Sequence, residues 1–180
     1  MSTHHPVREL ILIRHAKSSW SNPDLSDRDR PLNKRGKRDA LFIGQRLAHY
    51  QCYPDQVISS PAKRARKTIY KICKKLSYPK KRIVIDELLY TSNIQDLYSL
   101  LQSCGDELHR LFLVGHNHVI TVFAEELTGI DIYNIPTCGI AGIRFANESW
   151  AQVKPGGGEL FFFDYPKKHT GRGQSKISNG

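Results

Sequence analysis

Apolar residues fall into short runs and helical stripes that alternate along the chain. Leu10-Ile11-Leu12-Ile13 is a continuous apolar run within Arg8 to Ile13, the pattern of a strand buried on both faces. It ends at Arg14-His15. Residues 17–32 are polar and rich in turn formers, which predicts a loop. From Asn33 the period becomes helical: Ala40, Leu41, Ile43, Gly44, Leu47 and Ala48 line one face of a helix ending near Tyr50. Val57-Ile58-Ser59 is a second strand. Ser60 then reads as a helix N-cap, with Pro61 in the first helical position. In that helix Ala65, Ile69, Ile72 and Leu76 recur toward a core, while Lys63, Lys67, Lys71 and Lys74 recur toward water.

The rest of the chain continues the alternation. Ile83-Val84-Ile85 is a third strand, a helix spans about Gln95–Ser103, and Leu111 to Val114 is a fourth strand ending in Gly115-His116-Asn117. Residues 119–128 form a further helix, stopped by Gly129. Residues 139–146 and 159–164 read as strands, and Trp150 to Val153 as another. Strands alternating with helices predict an α/β fold with a mostly parallel central sheet and helices on both faces. The last strands lack intervening helices, which predicts an antiparallel edge. One domain is expected over residues 1–165, followed by a polar, basic, disordered tail over 166–180.

Charge changes the picture more than overall composition does. The 180 residues are 39% hydrophobic and 24% charged, ordinary for a globular protein, but 27 Lys and Arg face 17 Asp and Glu, for a net charge of +10. Residues 63–82 hold ten Lys and Arg and no acid. Such an excess suits a polyanionic or phosphorylated partner. No apolar run approaches the roughly 18 residues of a membrane span, and Leu10 to Ile13 is too short for a secretory core. A cytoplasmic protein without membrane contact is expected. The cysteines at 52, 73, 104 and 138 are widely spaced and read as reduced thiols.

Three predicted strand ends carry the candidate chemistry: Arg14-His15, Ser59-Ser60-Pro61 leading to Arg64, and Gly115-His116-Asn117. Ligands of open α/β sheets bind beyond the carboxyl ends of strands. Two arginines and two histidines gathered there suit a phosphoryl group, because Arg offers bidentate donors and neutral His offers a nucleophile near its ordinary pKa. Each piece also has a plainer reading as a surface dipeptide, one more cation on a basic helix, or a loop histidine. Asp24, Asp27, Asp29, His116 and His118 lack the tight spacing of metal ligands, so no metal and no cofactor is expected. His4 and His5 carry no clear signal.

The same residues resemble the histidine phosphatase superfamily, the phosphoglycerate mutase-like or RHG-motif proteins, and most closely its short branch of SixA-type phosphohistidine phosphatases. The motif residues are Arg14-His15-Ala16-Lys17-Ser18, the segment Asp27-Arg28-Asp29-Arg30-Pro31-Leu32-Asn33 with Gly36, then Ser59-Ser60-Pro61 with Arg64-Ala65 and Thr68, and Val114-Gly115-His116-Asn117. The resemblance implies a three-layer sandwich, a covalent intermediate on His15, and a phosphate pocket completed by Arg14, Arg64 and His116. It makes Glu87, after the third strand, the positional candidate for a general acid. Ser18, Asn22 and Asn117 are further candidates for binding substrate. Ala16 stands where the family's motif usually has Gly. The chain lacks the insertions that cover the site in the mutases, so an open site for a phosphoprotein is expected. Two other readings remain: a small-molecule phosphomonoesterase with the same site, and a non-catalytic module that binds phosphate or nucleic acid through the basic helix. No stacking-aromatic motif supports a nucleic-acid partner.

Overall fold

A computed structural model describes residues 7–91, 93–146 and 149–170. Its frame is one six-stranded sheet: β1 (Arg8–Arg14), β2 (Gln56–Ser59), β3 (Ile83–Ile85), β4 (Arg110–Gly115), β5 (Ile140–Phe145) and β6 (Glu159–Asp164), in the order β3-β2-β4-β1-β5-β6. The first four strands are mutually parallel. Strands β5 and β6 run antiparallel, which is the expected edge.

Helices cover both faces: α1 (Lys34–His49) and α2 (Lys63–Lys75) one, α3 (Leu88–Thr91), α4 (Ile94–Gln102) and α5 (Val119–Thr128) the other. Strand alternation sorts the central residues between them. Ile11 and Ile13 of β1 join Phe112 and Val114 of β4 under α1 and α2. Leu10 and Leu12 join Leu111 and Leu113 under α4 and α5. That is why the central strands read as unbroken apolar runs. Each such side chain contributes roughly 1.5–3 kcal/mol by leaving water. The predicted core face of α2 is buried: Ala65, Ile69 and Ile72 have no exposure, and Leu76 has 4%.

Local chemistry explains the helix ends. Asn33 caps α1 by accepting the Gly36 amide at 2.7 Å. Position 36 is closed to larger residues, since a Cβ there would lie 2.2 Å from the Lys17 carbonyl oxygen. Asn93 and Asp96 form a reciprocal capping box on α4. Gly129 ends α5 at φ +70°, a left-handed cap, as expected from the sequence.

Three local expectations fail. Trp150–Gln152 is a 3-10 turn rather than a strand, because Ser149 and Gln152 cap it reciprocally and the buried Trp150 indole donates to the Leu108 carbonyl at 2.7 Å. Helix α2 starts at Lys63, two residues after the predicted position, with Ala62 at its cap and no side-chain cap bond. The expected tail does not start at 166: Pro166–Lys168 is a 3-10 turn, and His169 beyond it bonds the buried Asp164 at 2.5 Å. The expectations for His4, His5 and residues 171–180 lie outside the described residues.

Candidate active site

The carboxyl ends of β1, β4 and β2 lie side by side, and their register brings the candidate residues together. Arg14 pairs with Gly115 across β1 and β4. The His15 amide donates to the Gly115 carbonyl at 3.2 Å, and the Ser60 amide donates to the Val114 carbonyl at 2.9 Å. The ring centroids of His15 and His116 are 5.0 Å apart.

The hydrogen bonds define both imidazoles. His15 Nδ1 lies 2.8 Å from the Ala16 carbonyl oxygen, which can only accept, so Nδ1 carries the proton. Its Nε2 then presents a lone pair, and Arg64 Nε donates to it at 3.3 Å. His116 Nδ1 lies 3.2 Å from Arg64 Nη2, which can only donate, so the proton of that ring sits on Nε2 and goes to Ser60 Oγ at 2.7 Å. Burial, helped by the neighbouring cations, lowers the pKa of His15 from 6.5 to about 3 and that of His116 to about 4. Both rings are therefore neutral at pH 7.

Ser60 thus serves His116, and its Oγ also accepts the Ala62 amide at 3.2 Å, instead of capping α2. Thr68, one turn after Arg64, donates to the Arg64 carbonyl at 2.7 Å and accepts the Ala16 amide at 2.9 Å. The loop after β1 is in this way tied to α2. The Ala16 methyl packs in the core under α1 and α2, clear of solvent.

Asp27 is the residue that sequence reasoning left without a place in the pocket. Its carbonyl accepts Arg64 Nη1 at 2.5 Å. One carboxylate oxygen takes Arg64 Nη2 at 2.9 Å and the Tyr90 hydroxyl at 3.1 Å, and the other takes Arg30 at 2.9 Å. Burial pushes the Asp27 pKa up, but the Arg64 hydrogen bond and charge outweigh it and hold the carboxyl below its ordinary value. Asp27 is ionised at neutral pH and fixes the plane of the Arg64 guanidinium. The only signal for this in the sequence was the Asp27 to Pro31 segment itself, which does not say what the carboxylate touches.

Arg14 is anchored from the opposite side. Its Nη1 donates to the Ile135 carbonyl at 2.8 Å and to Asn134 Oδ1 at 3.2 Å. Its Nε is buried with no hydrogen-bond partner among the described residues. A buried guanidinium N–H left unmade is costly, and an anion would satisfy it. Asn117 belongs to this anchor: Nδ2 donates to Asn134 Oδ1 at 2.7 Å, and Oδ1 accepts Thr121 Oγ1 at 2.6 Å.

The remaining candidates lie further out. Ser18 bonds the buried Arg30 and reaches Arg64 only through Arg30 and Asp27. Asn22 sits in an exposed turn, where its Oδ1 accepts the Asp24 amide at 3.0 Å. Glu87 is 62% exposed and paired with Arg28. Among the described residues, no group of three or more His, Cys, Asp or Glu is placed to hold a metal ion. No helix among them is long and apolar enough to cross a membrane.

The chain is similar to known proteins in sequence and in fold. The profile described as histidine phosphatase superfamily (branch 1) matches residues 10–103. A SixA-type protein of Agrobacterium tumefaciens, described as a candidate phosphohistidine phosphatase, superposes with a TM-score of 0.76 at 27% identity, covering 88% of this chain and 98% of that one. A protein histidine phosphatase SixA complexed with tungstate gives a TM-score of 0.77 at 20% identity over 89% and 98% of the two chains, a likeness of fold. A Mycobacterium tuberculosis protein of unassigned function is 32% identical over 166 residues, covering 86% of this chain and 100% of that one.

Proposed function

The chain belongs to the histidine phosphatase superfamily, and on that premise we propose that it is a metal-independent phosphatase acting on protein phosphohistidine through a covalent intermediate on His15. The observation that carries this reading is the bond from His15 Nδ1 to the Ala16 carbonyl. It leaves Nε2 as an unprotonated nucleophile beside two arginines.

The steps balance as follows. His15 Nε2 attacks phosphorus while the substrate P–N bond breaks. The electron pair leaves with the substrate imidazole, which takes a proton from water. The phosphorylated His15 ring gains positive character, which the Ala16 carbonyl stabilises through Nδ1–H. Water then attacks phosphorus, the P–Nε2 bond breaks, and its electron pair returns to Nε2. Inorganic phosphate leaves, and the water's extra proton goes to phosphate or solvent. Arg14 Nε, without a hydrogen-bond partner among the described residues, and the Arg64 guanidinium, oriented by Asp27, hold the phosphoryl oxygens. His116, kept neutral chiefly by burial, accepts Arg64 Nη2 at Nδ1 and so helps hold that guanidinium beside His15.

The proton donors support a phosphohistidine substrate. Asp27 is held ionised, and Glu87 is exposed and paired with Arg28. This favours leaving groups that depart without strong acid help, as imidazole does and an alkoxide does not. For a phosphoester, Glu87 is the acid candidate, and Glu87→Gln would slow phosphoester but not phosphohistidine turnover. Asn117 positions Arg14 through Asn134. Four free cysteines, three of them buried, support the cytoplasmic reading.

Trapping tests the proposal. The protein is mixed with a phosphohistidine peptide in EDTA, quenched within milliseconds and mapped by mass spectrometry. An acid-labile phosphate on His15 is expected. Turnover without that adduct, or turnover lost in EDTA and restored by a divalent ion, would overturn it. Faster turnover of phosphosugars than of phosphohistidine would assign a small-molecule phosphomonoesterase instead.

A further inference from the structure

A groove of about 540 Å³ is lined by Lys63 and Arg28, the chain neighbours of Arg64 and Asp27. One wall is the outer face of α2, where Lys63, Arg66, Lys67 and Tyr70 follow one another at helical spacing. The three cations are exposed, and none has a carboxylate partner among the described residues. Pro61 and the 42%-exposed Ile85 add apolar surface. The acids that line the groove are already engaged: Glu87 by Arg28, and Asp29 by the Ser26 hydroxyl at 2.6 Å.

This charge is not explained by the helix that carries it. Helix α2 has no acidic residue in its first turn and no side-chain cap, so the cations at its N-terminal end oppose its own dipole. The local rule is broken next to the site, where such departures have a functional reason more often than elsewhere. The groove also adjoins the pocket along the chain: Lys63 precedes Arg64, Arg66 lies two residues after it, and Arg28 follows Asp27.

We propose that this groove docks an acidic segment of the phosphoprotein substrate, next to its phosphorylated residue. The inference rests on the phosphatase reading and names what that reading leaves open, the sequence context of the substrate. Charge complementarity sets the sign of the ligand. A peptide fits better than a nucleic acid because the one aromatic ring on the cationic wall is already covered. Lys80 Nζ lies 4.4 Å from the Tyr70 ring centroid, and Arg66 donates to the Tyr70 hydroxyl at 3.3 Å, so no open stacking platform remains. The wall from Lys63 to Tyr70 is about 12 Å of helix and matches an extended segment of roughly four residues.

The test uses the full chain and the variant Lys63→Glu/Arg66→Glu/Lys67→Glu, with Gln at the same positions as a milder second variant. Glutamate in the first turn suits the helix dipole, so thermal stability is expected to hold. Three substrates are compared: para-nitrophenyl phosphate, a phosphohistidine peptide flanked by Glu and Asp, and the same peptide flanked by Gln and Asn. In the wild type, kcat/KM should favour the acidic peptide by roughly tenfold or more at low salt, and the advantage should vanish at high salt and in both variants. At high salt, where the summed field is screened, hydrolysis of para-nitrophenyl phosphate should change less than about twofold. Anisotropy of a labelled, unphosphorylated acidic peptide reads docking without chemistry. Equal rates on both peptides, with no peptide binding, would sink the groove while leaving the phosphatase intact. Binding lost in the variants but no turnover of any substrate would leave the groove standing and remove the phosphatase. An oligonucleotide that binds more tightly than the peptide, and is lost in the same variants, would overturn the acidic-peptide assignment.

Discussion

Lys63 and Arg64 are consecutive on α2, yet their charges sit in opposite settings. The Arg64 side chain is 8% exposed, and its guanidinium is spent on Asp27, His15 and His116 in fixed geometry. Lys63, with Arg66 and Lys67 on the same outer face, is exposed and has no carboxylate partner among the described residues. A buried, oriented cation meets its ligand without reorganisation, in a setting where charge is weakly screened. An exposed one acts through a summed field that salt erases over about 10 Å at 0.1 M. One helix can therefore serve a reaction centre on one face and a docking surface on the next, separated by a single helical step of about 100°.

The largest effect expected is on the buried side. His15→Ala should lower kcat on any phosphorylated substrate by at least about 10³-fold, with circular dichroism unchanged. Retention of near wild-type turnover would show that the covalent route is wrong. Arg64→Ala should lower kcat/KM by about 10²- to 10³-fold, as loss of an oriented donor does. Lys63→Ala, one residue away, should stay within about twofold on para-nitrophenyl phosphate. Similar losses at both positions would erase the distinction between the two faces.

Acid titration sharpens it further. The folded pKa values of His15 and His116, about 3 and about 4, lie below the ordinary 6.5. Between those values and 6.5 the unfolded chain binds more protons than the folded one. Their contribution to stability is therefore complete above pH 6.5 and is lost as pH falls toward 4. The acid limb of kcat/KM, corrected for substrate ionisation near pH 6, should fall below pH 5 rather than at 6.5. A limb at 6.5 would mean that the imidazoles are solvated.

The smallest effects concern stability. Thr68→Val removes the acceptor of the buried Ala16 amide and should cost about 1–3 kcal/mol by denaturant titration. Lys67→Ala on the outer face should cost less than about 0.5 kcal/mol.

Legibility followed the range of the interaction. The buried stripe of α2 and the apolar runs of β1 and β4 were readable because burial imposes a period on neighbouring residues. Arg14, His15, Arg64 and His116 were readable as a set because strand ends converge in an open sheet. Ser60 was misread as a helix cap: its best local partner is the helix it precedes, while its actual partner, His116, is 56 residues away. The Arg14 anchor at Ile135 is 121 residues away, and the Asp27 carboxylate spans to Arg64 and Tyr90.

By itself, then, the sequence determined the parallel α/β frame, its antiparallel edge, the candidate residues at the strand ends and the sign of the charge on α2. Only the tertiary structure decided which carboxylate holds Arg64, which tautomer each imidazole adopts, and which cations of α2 have no carboxylate partner among the described residues. Hydrophobic periodicity is written locally, in the burial of successive residues. A directional hydrogen bond between distant residues exists only once the chain has brought its two ends within about 3 Å.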